Sequence, residues 1–136
     1  MNAIKFIQQH GVDKAREELK KLPNSDVTHM TDDARMFVDE NNPLLDEFQR
    51  NQIKDLICID DLKRLVESIG LVNKLGGIAI AKEKLAYGNS ISAMRLSYET
   101  TITNRDGTKQ NVITGVYLED LEQAIADYEA IGGEHV

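Results

Sequence analysis

The chain contains no tryptophan, a single cysteine and two prolines in 136 residues, and aromatic side chains make up 5% of it. So few large rings leave little for stacking on nucleic-acid bases. Cys58 cannot form an internal disulfide, because the chain has no second cysteine, and free cysteines are among the most buried side chains. We therefore expect Cys58, which lies between Ile57 and Ile59, to be buried and inert.

Long apolar runs are also missing. No stretch of the sequence approaches the roughly 18 apolar residues that a membrane span needs. The first ten residues turn polar at once, where a signal peptide has an apolar centre. These absences predict a cytoplasmic protein without a membrane segment.

Residue groups typical of catalysis are absent as well. Gly76 and Gly77 follow a helical run and match neither the dinucleotide-binding nor the P-loop pattern. The histidines, His10, His29 and His135, have no second ligand at helical spacing, and no serine lies in a nucleophile elbow. Adjacent acidic pairs point apart, which suits solvation or helix capping better than acid–base catalysis. We expect no enzyme activity, no catalytic residue, no metal and no cofactor.

Two segments share one residue pattern. His10–Leu19 aligns without a gap on Gly76–Leu85, with glycine, a branched aliphatic residue, alanine, a basic residue, glutamate and leucine at matching places. An apolar helical run precedes each copy, and glycine after a helix commonly adopts the left-handed conformation. Each copy therefore predicts a helix, a glycine turn and a second helix. A shorter echo, Ala126–Gly133, closes the chain.

Periodicity supplies the remaining elements of an α+β fold, which we expect to be a single domain over 1–136. Two short strands are predicted at 27–30 and 35–38, and a long helix, capped by Asp60 or Asp61, at 62–75. Alternating residues at 92–103 and 109–118 flank Asp106-Gly107, a strong hairpin signal. Glu119 and Asp120 then begin a C-terminal helix. The helix–glycine–helix repeats are expected to pack with this small antiparallel hairpin sheet and the last helix.

The charge is concentrated in one segment. Residues 26–61 contain ten acidic and three basic residues, and the rest of the chain has thirteen of each, so this segment carries the whole net charge of −7. Within it, 39–52 is polar and predicts a loop or a poorly ordered stretch. One interpretation is a solvated loop with helix-capping aspartates; the other is an acidic face for a basic partner, in which the carboxylates would mimic nucleic-acid phosphate.

For the second interpretation, the candidate partner-binding residues are six acids together with three apolar residues that would anchor the contact. Alternatively, the three apolar residues, Leu44, Leu45 and Phe48, only attach a loop to the core. The nine candidates are Asp32, Asp33, Asp39, Glu40, Leu44, Leu45, Asp46, Glu47 and Phe48.

A second function is suggested by the stretch from Ile78 to Ala93, which resembles the helix-turn-helix of small phage repressors. The resemblance implies a DNA-binding regulator built on Ile78 to Leu96. Two features depart from that pattern: Leu85 stands where a glycine is expected, and Arg95 is the only basic residue in the would-be recognition helix. An acidic protein also gains nothing from counterion release on DNA.

The chain also resembles the small accessory proteins of lambdoid phages and prophages of enteric bacteria. The resemblance rests on Ala3–Glu17, Asp61–Ser68 and Gly76–Leu85. It implies an accessory protein of the host cytoplasm and supplies no catalytic residue. Together with the missing catalytic groups and the segregated acids, it motivates our main hypothesis: a non-enzymatic protein that binds a host or phage protein through an acidic surface and modulates a host or phage macromolecule. We also expect a homodimer, formed either by pairing across the hairpin edge or by packing of the helical repeats. The edge has few charges that would prevent edge-to-edge pairing; its residues include Thr100, Thr101, Thr103, Gln110 and Asn111.

Overall fold

A computed structural model describes residues 1–132. By its contacts the described part of the chain divides into two compact units, one formed by Met1–Glu67 with residues 129–132, and the other by Ser68–Tyr128. The single domain expected over 1–136 stays a prediction. His135 and Gly133, the end of the predicted third echo, lie outside the described residues.

The predicted α+β class is confirmed: helices alternate with two small antiparallel sheets, and a helix ends the described part of the chain. In chain order the elements are α1 (Ala3–His10), α2 (Val12–Lys20), β1 (His29–Met30), β2 (Phe37–Val38), α3 (Glu47–Ile53), β3 (Ile57–Cys58), α4 (Ile59–Lys74), α5 (Ile78–Ser90), β4 (Arg95–Thr103), β5 (Lys109–Tyr117) and α6 (Leu118–Ile131).

In the first unit, β1 lies between β2 and β3 in an antiparallel sheet. Met30 pairs with Phe37 and Ile57, and His29 pairs with Val38 and Cys58. Because successive side chains of a strand point to opposite faces, Met30 and Ile57 lie on the buried face and are fully covered. His29, Val38 and Cys58 therefore share the other face. Cys58 is half-buried, which corrects the prediction of a buried thiol: its face is the less covered one.

In the second unit the predicted hairpin is confirmed. Nine residues of β4 pair with nine of β5, and Gly107 in the connecting turn has a φ of +87°. The core of this unit is formed by one cluster of buried side chains: Val72, Leu75, Ala81, Val116, Leu121, Ala124 and Ile125. The apolar face of the hairpin is covered only near its base, because every residue from Thr101 to Asn111 is exposed, including the apolar Ile102.

Three predicted details are wrong. The stretch 39–52 is a loop only as far as Asp46, because Asp46 and Gln49 form a capping box that begins α3 at Glu47. Asp60 and Asp61 do not cap α4 but lie in its first turn, since the helix begins at Ile59, whose N–H donates to the Thr28 carbonyl over 2.9 Å. The predicted strand beginning at Ser92 starts instead at Arg95.

The stretch from Ile78 to Leu96, all of which the structure describes, does not form the predicted helix-turn-helix. α5 continues to Ser90, and the chain then turns and enters β4 at Arg95. The residues that would form a recognition helix are thus a turn and the first residues of a strand. The alternating pattern after Ser92, which favours a strand, decides this conformation.

Candidate functional site

All nine candidate partner-binding residues lie in the first unit, along the chain from the end of β1 to the first turn of α3. Asp32 and Asp33 are in the connection between β1 and β2, and Asp39 and Glu40 follow β2. Leu44 and Leu45 precede α3, Asp46 caps it, and Glu47 and Phe48 begin it.

Several of these carboxylates stabilise local turns. Asp33 accepts hydrogen bonds from the Thr31 hydroxyl at 2.5 Å and the Arg35 N–H at 3.1 Å, and these bonds, the hydroxyl first, hold the pKa of Asp33 below its ordinary value. Asp39 accepts from the Asn41 N–H at 2.9 Å. The interpretation as capping and turn aspartates therefore applies to these two acids and to Asp46.

The other acids have fewer local partners. The Asp32 carboxylate lies 3.5 Å from the N-terminal amine. Glu40 and Glu47 are exposed, and within residues 1–132 neither side chain takes part in an ion pair or accepts a hydrogen bond. These two carboxylates are available to a binding partner.

Large apolar side chains of the same stretch are open to solvent. Leu44 is 87% exposed, Phe48 is 70% exposed, and Met36, in the connection before β2, is 68% exposed. Leu44 and Phe48 therefore do not attach the loop to the core. Leu45 is half-buried and lines a groove together with other residues of the first unit.

A groove of about 540 Å³ runs between α3 and the β1–β2 region. Met36 and Val38 line one side of it, and Leu45, Ile53 and Leu56 contribute apolar surface from α3 and its flanking residues. Thr31, Gln49, Gln52 and Asp55 supply its polar positions. The sequence analysis named Leu45 but missed Met36, Ile53 and Leu56. A signal was present, because the spacing of one helical face connects Leu45, Gln49, Ile53 and Leu56.

A second, polar pocket of about 390 Å³ lies on the other flank of α3 and shares Ile53 with the groove. Its lining residues are His29, Glu40, Asn41, Arg50, Ile53 and Lys54. Arg50 lies on α3, and Lys54, four residues later, is its C-cap and keeps a helical backbone conformation, so the two side chains project from the same flank. Phe48 lies about 160° around the helix from Arg50, since each residue turns about 100°, so Phe48 projects away from the polar pocket.

Among the histidines considered in the sequence, His10 takes part in packing. The His10 ring packs against Phe6, with ring centroids 4.8 Å apart, at the end of α1. Within residues 1–132, His, Cys, Asp and Glu side chains form no group of three or more placed to hold a metal ion. Every helix in that range is too short or too polar to cross a membrane.

In comparisons with protein-family models, curated proteins and solved structures, no match to this chain was found.

Proposed function

We propose that the protein is a non-enzymatic binding protein that takes a basic, amphipathic segment of a partner protein on the groove beside α3. The observation that carries the proposal is the exposure of Met36, which lines that groove, and of Leu44 and Phe48, which precede the lining residues Leu45 and Gln49 in the chain. Exposed apolar groups bordered by polar residues mark interaction surfaces in soluble proteins. An aromatic side chain such as Phe48 is the kind of anchor that supplies most of the energy of an interface.

Charge complementarity supports the basic character of the partner. The groove lies within the segment that carries the whole net charge of −7, and Glu47, in the first turn of α3, adds an exposed carboxylate. Lys and Arg side chains of a partner would be attracted to this surface, which accelerates association and selects against acidic competitors. The apolar groove would take one or more aliphatic or aromatic side chains of the same segment.

The resemblance to phage accessory proteins extends the proposal to the kind of partner. The partner is then a host or phage protein met in the cytoplasm of the bacterial host, and binding modulates it. DNA is disfavoured as the partner, because the surface is acidic and residues 78–96 hold a single helix followed by a turn and a strand.

A displayed random-peptide library tests this proposal and does not require the partner to be identified. We expect selection on the immobilised full chain to enrich peptides that combine Lys or Arg with a large apolar residue, and the selected peptides to bind less tightly as salt rises. Phe48→Ala is expected to weaken binding at least about ten-fold. Ile113→Ala, a matched truncation of a side chain that is 80% exposed in the second unit, is expected to leave the affinity unchanged.

Charge is tested in the same assay. Glu47→Gln is expected to slow association and reduce the salt dependence, whereas Glu83→Gln, which removes an exposed carboxylate from α5, should change neither. Selection of acidic peptides, or equal losses of affinity in the Phe48 and Ile113 variants, would refute the proposed surface.

A further inference from the structure

The polar pocket beside α3 holds an unexpected share of the positive charge of its surroundings. The acidic segment at 26–61 has three basic residues, Arg35, Arg50 and Lys54. Two of them, Arg50 and Lys54, line this one pocket together with His29. The pocket is therefore a cationic site within an otherwise acidic stretch of the chain.

Arg50 is held in place by the loop that precedes α3. Its Nη1 donates to the Glu40 carbonyl at 2.9 Å, and its Nη2 donates to the Asn42 carbonyl at 3.0 Å. A guanidinium has five N–H groups in a rigid plane, so three remain after these two bonds. The arrangement fixes the orientation of a group that is well suited to bind an oxyanion.

Lys54 brings a second positive charge to the same flank of the helix. Like charges four residues apart on a helix repel each other by a few tenths of a kcal/mol. No ion pair among residues 1–132 offsets this repulsion, since none of them includes Arg50, Lys54 or Glu40. An anion between Arg50 and Lys54 would remove the repulsion.

The hydrogen bonds of Thr28 determine which nitrogen of His29 carries a proton. The Thr28 hydroxyl lies 3.2 Å from the Val38 carbonyl, to which it donates, and accepts from the Glu40 N–H at 2.8 Å. Its one proton is thereby used, so its 2.8 Å contact with Nδ1 of His29 is satisfied when Nδ1 is the donor. In the neutral ring this leaves Nε2 as an acceptor.

The pocket thus combines donors for an oxyanion with acceptors for a proton. Arg50, Lys54 and the Asn41 amide supply N–H groups, while the Glu40 carboxylate and Nε2 of His29 supply acceptors. Hydrogen phosphate carries both the oxyanion and a P–OH donor. Sulfate has the same tetrahedral shape and charge but no proton to donate. It would leave the acceptor of half-buried His29 without a donor, which costs binding energy, and its full charge would face the exposed Glu40 carboxylate without an intervening hydrogen bond.

We propose that the pocket formed by His29, Glu40, Asn41, Arg50 and Lys54 is a binding site for hydrogen phosphate, selective against sulfate. The oxyanion binds Arg50 and Lys54, and the P–OH group donates to Glu40 or His29. This site differs from the proposed partner-binding groove, because the two share only Ile53 among their lining residues and the pocket takes an anion instead of a basic peptide.

The test is a titration of the ¹⁵N-labelled full chain with inorganic phosphate, and separately with sulfate, at constant ionic strength and neutral pH. Phosphate is expected to cause saturable amide shifts centred on His29, Asn41, Arg50 and Lys54, and sulfate to bind at least about five-fold more weakly. Equal affinities for the two anions, or the absence of saturable shifts with phosphate, would overturn the proposal.

Variants separate a specific site from general attraction of anions. Lys54→Gln is expected to weaken phosphate binding at least about five-fold, while Lys63→Gln, the same charge change at an exposed position of α4, should have less than about a two-fold effect. Glu40→Gln is expected to strengthen sulfate binding and bring the phosphate-to-sulfate ratio towards one. Equal effects of the two lysine variants, or an unchanged ratio in Glu40→Gln, would refute the site, and dispersed spectra of each variant confirm that it is folded.

Discussion

Gly11 and Gly77, which occupy matching positions of the two repeats, have the same backbone conformation. Gly11 has φ and ψ of 86° and 162°, and Gly77 has 109° and 175°. Each precedes a helix, and its carbonyl accepts the first helical bond from an alanine, Ala15 at 3.3 Å or Ala81 at 3.0 Å. Both alanines are fully buried. The repeat in the sequence is therefore a repeated local structure.

This conformation differs from the left-handed one expected for a glycine that ends a helix. The combination of positive φ with extended ψ is essentially confined to glycine, because a Cβ clashes with the local backbone. Apart from the glycine and its two chain neighbours, no atom lies within 4 Å of a Cβ built at Gly11 or Gly77, so local backbone strain alone would oppose a substitution. We expect Gly11→Ala and Gly77→Ala each to lower the free energy of unfolding by about 1–3 kcal/mol, measured by urea denaturation. A loss below about 0.5 kcal/mol in both variants would contradict the strain argument.

Gly88 requires a small residue for a different reason. A Cβ built on this buried residue of α5 would overlap Cδ2 of Leu118. We expect Gly88→Ala to cost about 1–2 kcal/mol, since overpacking outweighs the roughly 1 kcal/mol that alanine gains over glycine in a helix. In a double-mutant cycle, combining Gly88→Ala with Leu118→Ala should relieve part of this cost, because the shortened Leu118 side chain makes room for the new Cβ. Strict additivity of the two variants in thermal or urea unfolding would show that the two side chains do not clash.

The sequence predicts best what neighbouring residues determine. Asp106-Gly107 placed the hairpin turn, and Gly11 and Gly77 marked the breaks between helices, because positive φ is a local requirement. The start of α3 is equally local: the pair Asp46 and Gln49 is a capping box that the acidic composition of the stretch obscured.

The candidate site depends instead on packing between distant parts of the chain. His29 and Lys54 share a pocket because β1 pairs with β2 and α3 lies beside that sheet, and no spacing in the sequence contains this information. The exposure of Phe48 likewise follows from which flank of α3 meets the sheet. A helix of seven residues is too short for its apolar periodicity to specify that flank.

Ser68 and Asp127 form a buried polar pair within the second unit. The Ser68 hydroxyl donates to Oδ2 of Asp127 at 2.7 Å, and the Gln123 amide donates to Oδ1 at 2.9 Å. Ser68→Ala is expected to reduce the free energy of unfolding by about 1–3 kcal/mol, because it leaves a carboxylate oxygen of buried Asp127 without this donor. Ser90→Ala, which removes an exposed hydroxyl from α5, should cost less than about 0.5 kcal/mol. Equal effects of the two variants in urea denaturation would contradict a stabilising role for the buried pair.

The ion pair between Lys14 and Glu18 on α2 predicts a pH dependence of stability. Their side chains are 2.8 Å apart, and the hydrogen bond from Lys14 lowers the pKa of Glu18 below its ordinary value of 4.5, while the bond to Glu18 raises the pKa of Lys14 above 10.5. A lowered carboxyl pKa stabilises the folded state above about pH 4.5, and this contribution disappears as the pH falls through the folded-state pKa. A raised lysine pKa stabilises below about pH 10.5, and this contribution disappears as the pH rises through the folded-state value.

The stability difference between the wild-type protein and Lys14→Gln should therefore be largest between these limits and shrink towards either extreme. Urea denaturation midpoints at a series of pH values measure this difference. Lys20→Gln, which changes an exposed residue of the same helix that forms no ion pair among residues 1–132, should show no such profile. A difference that stays constant below about pH 4.5 would disprove the assignment to the ion pair.

The edges of the β4–β5 hairpin predict self-association. Within residues 1–132 these strands pair only with each other, so each retains an outer edge of unpaired backbone groups, a common template for pairing with another chain. Thr101 and Asn111 are joined by a 2.9 Å side-chain hydrogen bond and add no charge to the hairpin, and Ile113 is 80% exposed on β5. Edge-to-edge pairing of two copies would give a two-fold dimer.

Sedimentation equilibrium at high micromolar concentration is expected to give a mass approaching twice the monomer value of 15.3 kDa. Ile113→Lys places a charge beside the edge and should shift the equilibrium towards the monomer, as charged edge residues do in natural sheets. Leu44→Lys makes the same change at an exposed apolar residue of the first unit and should leave dimerisation unaltered. A mass of 15.3 kDa for the wild-type chain at this concentration, or equal dissociation by the two variants, would exclude the hairpin edge as the dimer contact.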